Sequence, residues 1–525
     1  MKVIYHSFSH KHKSEIISSL HSKYNWEPVC IAGSPIDADG TIGGVDLDNC
    51  IISNPFKLRR AEFDYDDITP PIQVDASILE SLSAYEGIFL DLLGTFQDNT
   101  GWEFSYGERK NFYIDILTYW NTVINLTGPD LIVFYTWPHT PSCYPLYLIA
   151  KHYYKIDILF IDPAPLLGLD YHVISNSIEN LSNFYNNSIQ DNNYINSTNE
   201  NDSLLVNEND SLLVNENDSL LVNDMANDNL EPDHIIGEYD TFKHSKPILS
   251  RFYNYLEGKI NLENIFKSYR HFQNLNFDRK ANRKPYFMSN SRMNLLEKFI
   301  FFEKLKFKNK SLKKYYNSKI EVPDLNNTYI YFSAPYQPEA TSYLGGHHYE
   351  NIILTLRVLS YACPKGWVIY YKEHPSIFFD NFRGSLKRNN KFYDQICNLQ
   401  NIKMVASNYD QFALMENSKA VALICGSTAW QAVLRGKPVI SFGQSWYSSC
   451  KGIIQVSSLQ DVKDTLDLII SGYTPERKDV NHYVSVIKKV AFKFKEHYYP
   501  PFIVYDKVRA EEIADEFYKA FIRSK

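Results

Sequence analysis

The chain has 525 residues, 44% hydrophobic, 15% aromatic and 22% charged, a globular composition too long for one ordinary core, so two domains are expected. The absence of any run of about 18 apolar residues argues against a spanning helix, the opening stretch MKVIYHSFSHKHKSE argues against a secretory leader, and seven scattered cysteines without a CxxC pair argue against a disulfide framework or zinc ribbon and fit a reducing cytoplasm. The net charge of −7 conceals an asymmetry: residues 174–234 hold 12 Asp/Glu and no Lys/Arg, whereas 271–319 hold 13 Lys/Arg and 3 acids, an acidic insert and a basic stretch on a nearly balanced body.

The segment KVIYHSF reads as a first strand, SEIISSLHSKY as a helix and EPVCIAG as a second strand. LIVFYTW (131–137) is a buried-strand run, YPLYLIAKHYY a helix and IDILFID (156–162) a further strand. Short apolar strands separated by helices predict a parallel, helix-covered sheet. This gives a first Rossmann-like domain over 1–175. The octapeptide NENDSLLV then occurs three times, at 199–206, 207–214 and 215–222. Its period suits neither a solenoid nor a heptad coil, so 176–233 is expected to be a disordered, low-complexity acidic insert. Deleting 199–222 is expected to leave fold and activity unchanged. Residues 234–327 form a basic connecting region, helical over 247–320. FIFFEKLKFKNKSLKKYY within it reads either as a basic helix on an anionic membrane surface or as an ordinary helix with a solvated lysine face.

A second alternation follows over 328–500, a second Rossmann-like domain. Its strands are TYIYFSAP (328–335), WVIYYKEH (367–374), IKMVA (402–406), AVALICG (420–426), PVISFG (438–443) and GIIQV. Helices are expected around 349–362, 391–400, 409–417 and 429–435 and in SSLQDVKDTLDLII. The last segment, 501–525, is expected to be a helix that packs back on the first domain. The predicted fold class is α/β, with two Rossmann-like domains facing a cleft and with ligands at the carboxyl ends of the strands.

No GxGxxG follows the first strand, and neither GxxxxGK[ST] nor HExxH occurs, which argues against dehydrogenase, P-loop and zincin chemistry. No metal ligands are assigned; His347 and His348 read as loop residues. Gly426-Ser427-Thr428 ends a strand and opens a helix, so backbone N–H groups, the helix dipole and two hydroxyls converge as an anion site. The alternative is a simple N-cap role for Ser427 or Thr428. Lys372-Glu373-His374-Pro375 ends another strand, and a histidine there can donate to a phosphate or protonate a leaving group. Gln337 and Glu339, after a third strand and before Gly345-Gly346, are candidates for hydrogen bonds to a sugar or base. In the first domain His139, in WPHTP, and Asp162, in DPAP, are candidates for acceptor activation.

The order YFSAPYQPEAT, YYKEHPS, CGSTAWQAVLRGKPVISFGQSWY resembles the bacterial capsule polysaccharide biosynthesis family, GT-B glycosyltransferase-like proteins that include Kdo transferases. The resemblance is good over 328–456, weaker over 110–180 and absent in the insert. It implies that His374-Pro375 and Ser427-Thr428 match the family's His-Pro and Ser-Ser/Thr pairs, which contact the CMP part of a CMP-sugar donor. The acidic D/E-D-G triplet of related sialyltransferases is missing from the first domain, so the carboxylate is not placed by motif. Asp162 is the first choice, with Asp91 and Asp98 behind it.

The expected function is therefore a glycosyltransferase of capsule or surface polysaccharide synthesis, moving Kdo or another nonulosonate from a CMP donor to a glycan or lipid-linked acceptor. The alternatives are a UDP- or GDP-sugar transferase or epimerase of the same fold, and a non-catalytic capsule assembly or export protein. No cofactor beyond the nucleotide-sugar co-substrate and no nucleic-acid partner is expected. The expected location is cytoplasmic, at the inner face of the inner membrane and near capsule assembly proteins.

Overall fold

Parallel strands are covered on both faces and so read as unbroken apolar runs. The computed structural model describes residues 1–8, 11–33, 45, 47, 49–59, 62–63, 70–97, 105–163, 171–182, 295–379, 384–493 and 507–525, and there those runs build two sheets. The first has the order β13-β6-β5-β4-β1-β2-β3. Its strands are β1 (Lys2–His6), β2 (Glu27–Ala32), β3 (Ile51–Ser53), β4 (Leu131–Phe134), β5 (Asp157–Pro163), β6 (Tyr171–Ser175) and β13 (Phe492–Lys493). β1 to β5 pair in parallel, whereas β6 is antiparallel to both β5 and β13. The second sheet is parallel throughout, in the order β12-β11-β10-β7-β8-β9. It contains β7 (Tyr329–Ser333), β8 (Val368–Lys372), β9 (Ile402–Val405), β10 (Ala420–Leu423), β11 (Val439–Ser441) and β12 (Ile453–Gln455).

The reading of residues 50–130 placed no helices there, yet Ser83–Gln97 and Tyr106–Thr127 are both helical. The second is buried without a break from Ile116 to Ile124. A helix enclosed on all sides shows no apolar stripe, so the 3.6-residue signal is weak. Its start is nevertheless local: Ser105 and Glu108 form a reciprocal capping box.

The carboxyl-terminal chain returns to the first sheet. β13 extends that sheet, and the Lys507–Ser524 helix lies on the Lys11–Tyr24 helix. The Tyr24 and Tyr518 rings stack at 3.9 Å, the Tyr24 hydroxyl donates to Asp515 at 2.7 Å, and Phe517 is fully buried among Val3, Ile17 and Leu20. Burial of these aromatic and aliphatic side chains dominates the attachment.

Residues 176–182 fall inside the stretch that the sequence suggests as insert, but they pack against the first half. Ile178 and Leu181 are buried, and Glu179 pairs with His152 at 3.0 Å. The octapeptide repeats, Asp98 and most of the basic connecting region lie outside the described residues. Within the described part of that region, the helix is Leu295–Asn317.

The chain that follows the carboxyl ends of the strands joins the two halves. Tyr343 and Leu344, after β7, share an apolar cluster with Phe89, Tyr144 and Tyr147. Ser449, after β11, bonds to Ser182 at 2.7 Å. The two carboxyl edges therefore face each other across a cleft.

Candidate functional site

In an open α/β sheet the crevice forms where successive strands leave in opposite directions. From β7 the chain proceeds through β8 and β9 on one side, then crosses back to β10 on the other. The crevice therefore opens beyond Ser333 and Leu423, which are register partners. There the Ser333 and Thr428 hydroxyls lie 3.2 Å apart. Lys372 is the register partner of Ser333 on the opposite neighbour, β8.

The helix Ser427–Leu434 starts at this crevice. Gly426 is its N-cap, at φ 139° and ψ 161°, and no side chain caps it. Ser427 and Thr428 are therefore inside the helix rather than caps. Ser427 is exposed and Thr428 is half-buried. The positive φ of Gly426 is costly for any residue with a Cβ. Tyr447 holds this residue from behind: its buried hydroxyl accepts the Gly426 N–H at 2.8 Å and donates to the Gly426 carbonyl at 2.7 Å. The free end of a helix with adjacent hydroxyls is suited to an anion.

Lys372 is 7% exposed, and among the described residues its amine has no ion-pair partner. Burial pushes the amine down to about 8, while Glu373 and Asp410 pull the other way. A buried ammonium without a contacting anion favours an incoming phosphate. His374 has a fixed tautomer. Its Nδ1 accepts the Ser376 N–H at 3.2 Å, which puts the ring proton on Nε2. Burial lowers its pKa to about 4, so the ring is a neutral donor at pH 7. Pro375 opens the short 3-10 turn Pro375–Phe378 that this bond closes.

Glu373 points the other way, into the protein. Its carboxylate accepts from Arg388 at 3.0 Å, from Tyr371 at 2.8 Å and from Tyr393 at 3.0 Å, and both members of the ion pair are nearly inaccessible. Burial works against the Arg388 charge, but Glu373 overcomes it and raises the guanidinium above its ordinary range. Gln337 belongs to the same network. Its carbonyl accepts from Arg388 at 3.0 Å and its amide donates to the Glu350 carbonyl at 2.9 Å. The side chains of Glu373 and Gln337 thus brace the loops after β8 and β7. Glu339 is exposed at the start of the Ala340–Gly346 helix. Gly345 in that helix is packed against backbone: a Cβ there would meet the Gln444 carbonyl at 2.8 Å, which ties the helix to the end of β11.

The first sheet has its own switch point, between β1 and β4. His6, Ser7 and the Tyr135–His139 stretch end those strands. His6 is fully buried, and burial followed by Arg59 lowers its pKa to about 3. The His139 Nδ1 lies 2.5 Å from the Trp137 carbonyl, which can only accept, so Nδ1 donates and Nε2 is left as an acceptor. Burial lowers the pKa of His139 as well. Asp162 is 5% exposed on β5, and among the described residues its Oδ2 has no hydrogen-bond partner. Burial raises its pKa to about 8, so it is largely protonated at pH 7. No hydrogen bond joins Asp162 to His139.

Ser333, Tyr447, Arg388 and Glu350 were not singled out from the sequence. Glu350 lies in the 3-10 turn His347–Glu350, which packs on the Ser83–Gln97 helix that carries Asp91. Burial, then Asp91, raises its pKa to about 7. Only Ser333 had a local signal, as the last residue of an apolar strand before Ala334-Pro335.

Two Rossmann-like halves with facing carboxyl edges define a GT-B-type fold. Residues 343–467, within the second half, match the family described as capsule polysaccharide biosynthesis protein. Solved structures with distant likeness include the KpsC beta Kdo 2,7 transferase of Thermosulfurimonas dismutans, at 14% identity over 39% of this chain and 67% of that one, TM-score 0.20. The UDP-GlcNAc 2-epimerase of Neisseria meningitidis bound to UDP-GlcNAc is 14% identical over 99% and 100%, TM-score 0.23. The UDP-GlcNAc 2-epimerase of Methanocaldococcus jannaschii is 12% identical over 93% and 100%, TM-score 0.23. No curated protein matches the chain.

Proposed function

We propose that the protein is a glycosyltransferase of capsule or surface polysaccharide synthesis, with a CMP-activated Kdo or other nonulosonate as donor and a glycan as acceptor. The observation that carries this reading is the Ser333–Thr428 hydroxyl pair at the switch point, 3.2 Å apart, with Lys372 the register partner of Ser333 on the neighbouring strand. In this reading the donor phosphate sits at the Gly426–Thr428 helix end, neutralised by Lys372 and hydrogen-bonded by Nε2–H of His374. The acceptor hydroxyl attacks the anomeric carbon and the bond from that carbon to the phosphate oxygen breaks. CMP leaves with the bonding electron pair, and Nε2 of His139 takes the hydroxyl proton. Asp162, protonated, is a hydrogen-bond donor near the acceptor rather than the base. The enzyme acts at the cytoplasmic face of the inner membrane on a lipid-linked acceptor, beside capsule assembly proteins, and needs no cofactor.

A second reading has one observation in its favour. Glu350 and Asp91 face each other from opposite halves, and such a carboxylate pair suits a UDP-sugar epimerase or transferase. Thermal shift with CMP, UDP and GDP separates the readings. Stabilisation by CMP alone, lost in His374→Ala and Ser427→Ala, supports the first. Stabilisation by UDP, lost in Glu350→Gln, supports the second. No response to any nucleotide defeats both.

A further inference from the structure

Away from the cleft, the Leu295–Asn317 helix buries Leu305, Asn309, Leu312 and Tyr316. These positions form one stripe at helical spacing. The opposite face is charged. Residues 303–317 contain six lysines and one acid, Glu303. Lys304, Lys308, Lys310, Lys313 and Lys314 are all exposed, and none has an ion-pair partner among the described residues. In the middle of this face stands Phe307, 75% exposed. A solvated lysine face gains nothing from an exposed aromatic ring, whereas a surface that meets lipid headgroups does.

Beside that face lies a groove of about 590 Å³. Phe307, Lys308 and Ser311 line it from the helix, and Ser385, Asn389 and Lys391 from the facing segment. Its floor is fixed: the buried amide of Asn309 donates to the Phe379 carbonyl at 2.7 Å and accepts the Ser385 N–H at 3.3 Å. The Ser385 hydroxyl is shielded from solvent and, among the described residues, has no hydrogen-bond partner. Two lysines, a waiting hydroxyl and amide groups around one polar hollow provide what a phosphodiester needs. Among the described residues no helix is long and apolar enough to cross a membrane, so contact through this helix is with the surface.

We infer that this face docks on an anionic phospholipid surface, with one headgroup phosphate in the groove between Lys308, Lys391 and Ser385, and with Lys304, Lys310 and Lys314 on the surrounding headgroups. The inference rests on the proposed location at the membrane and not on the sugar chemistry. Neither Lys304, Lys310, Lys314 nor Phe307 belongs to the cleft, so lipid binding and nucleotide binding are read separately.

The test is co-sedimentation of the full chain with phosphatidylcholine vesicles, with and without phosphatidylglycerol. Binding is expected only to the anionic vesicles, released by salt. Each lysine near the surface contributes roughly fivefold in affinity, so Lys304→Ala/Lys310→Ala/Lys314→Ala should lose about a hundredfold. Phe307→Ser should weaken binding at constant salt dependence, and Lys308→Ala/Lys391→Ala should weaken it while sparing the melting temperature. All three variants should keep the wild-type nucleotide response. Equal binding to neutral vesicles, or undiminished binding by the lysine variants, overturns the inference. So does binding of an anionic polysaccharide, with the same lysine dependence, by a protein that ignores the vesicles. Inorganic phosphate that displaces the protein further than a chloride salt of equal ionic strength supports the headgroup site; equal displacement by the two removes that site.

Discussion

The hydroxyl of Tyr447 touches both ends of one residue, accepting the N–H of Gly426 and donating to its carbonyl. It fixes the peptide that opens the Ser427–Leu434 helix, in a conformation that Gly426 alone tolerates well. Tyr447→Phe removes both bonds and leaves the backbone groups to find other partners, at a cost of about 1–3 kcal/mol in stability. On the proposed function, nucleotide affinity falls about tenfold, because the anion site is less well ordered. Chemical denaturation and nucleotide titration of the same variant check the two effects. Wild-type affinity in Tyr447→Phe would remove Tyr447 from the site.

Lys372 gives the crevice a pH dependence with a definite sign. A bound phosphate favours the charged amine, and without ligand the amine titrates at about 8. Nucleotide affinity should thus be flat below pH 7 and fall about tenfold between pH 7 and pH 9. Lys372→Met should flatten this profile. The same change should stabilise the fold at pH 7 by about 1–3 kcal/mol, because the wild type buries a charge there. That cost is present below pH 8 and is relieved as pH rises from 8 toward the amine's ordinary 10.5. Titration calorimetry across pH and melting at pH 7 test the pair of effects.

Glu373 and Arg388 hold the loop that carries His374. To remove one partner strands the other charge where neither is accessible. Arg388→Met and Glu373→Gln should each destabilise by about 3–5 kcal/mol, well beyond any surface ion pair. The Lys451–Asp479 pair at 2.9 Å, with Lys451 72% exposed, is the control: Lys451→Ala should change stability by less than about 1 kcal/mol. Urea unfolding of the variants gives the comparison.

Asp162 should act on stability through pH. Its pKa rises from the ordinary 3.8 to about 8 in the folded protein, so the folded state binds the proton more tightly than the unfolded state. The contribution is fully present below pH 3.8 and is lost as pH rises to 8. Asp162→Asn removes that loss. The variant should gain on wild type by about 2–5 kcal/mol between pH 4 and pH 8, seen as diverging melting temperatures. Parallel melting curves would mean that Asp162 is ionised or solvated.

On the proposed function, His139→Gln should keep nucleotide binding and lose transfer by about a hundredfold or more. A radiolabelled-sugar transfer assay beside the thermal shift separates this from a folding defect. Equal loss of both signals would assign His139 to the fold.

Elements whose signals are local were legible from the order of residues. The apolar runs at Leu131–Phe134 and Ala420–Leu423 could only be buried strands. The Gly-Ser-Thr triplet after Cys425 marked a helix start, and the Ser105–Glu108 spacing is a cap legible within four residues. Tertiary structure alone decided what the strand order brings together. Ser333 reaches Thr428 because β10 crosses back beside β7, and nothing within either segment encodes that neighbour. Glu373, read as a ligand group, is claimed instead by Arg388, Tyr371 and Tyr393, contacts that exist only once the loops after β7 and β8 meet. The last helix was expected to return to the first domain, and Lys507–Ser524 does so, but that its partner there is the Lys11–Tyr24 helix is decided by the fold. Hydrophobic pattern and backbone caps act over a few residues and are written in order, whereas burial, desolvation and pKa are set by whatever the fold places alongside.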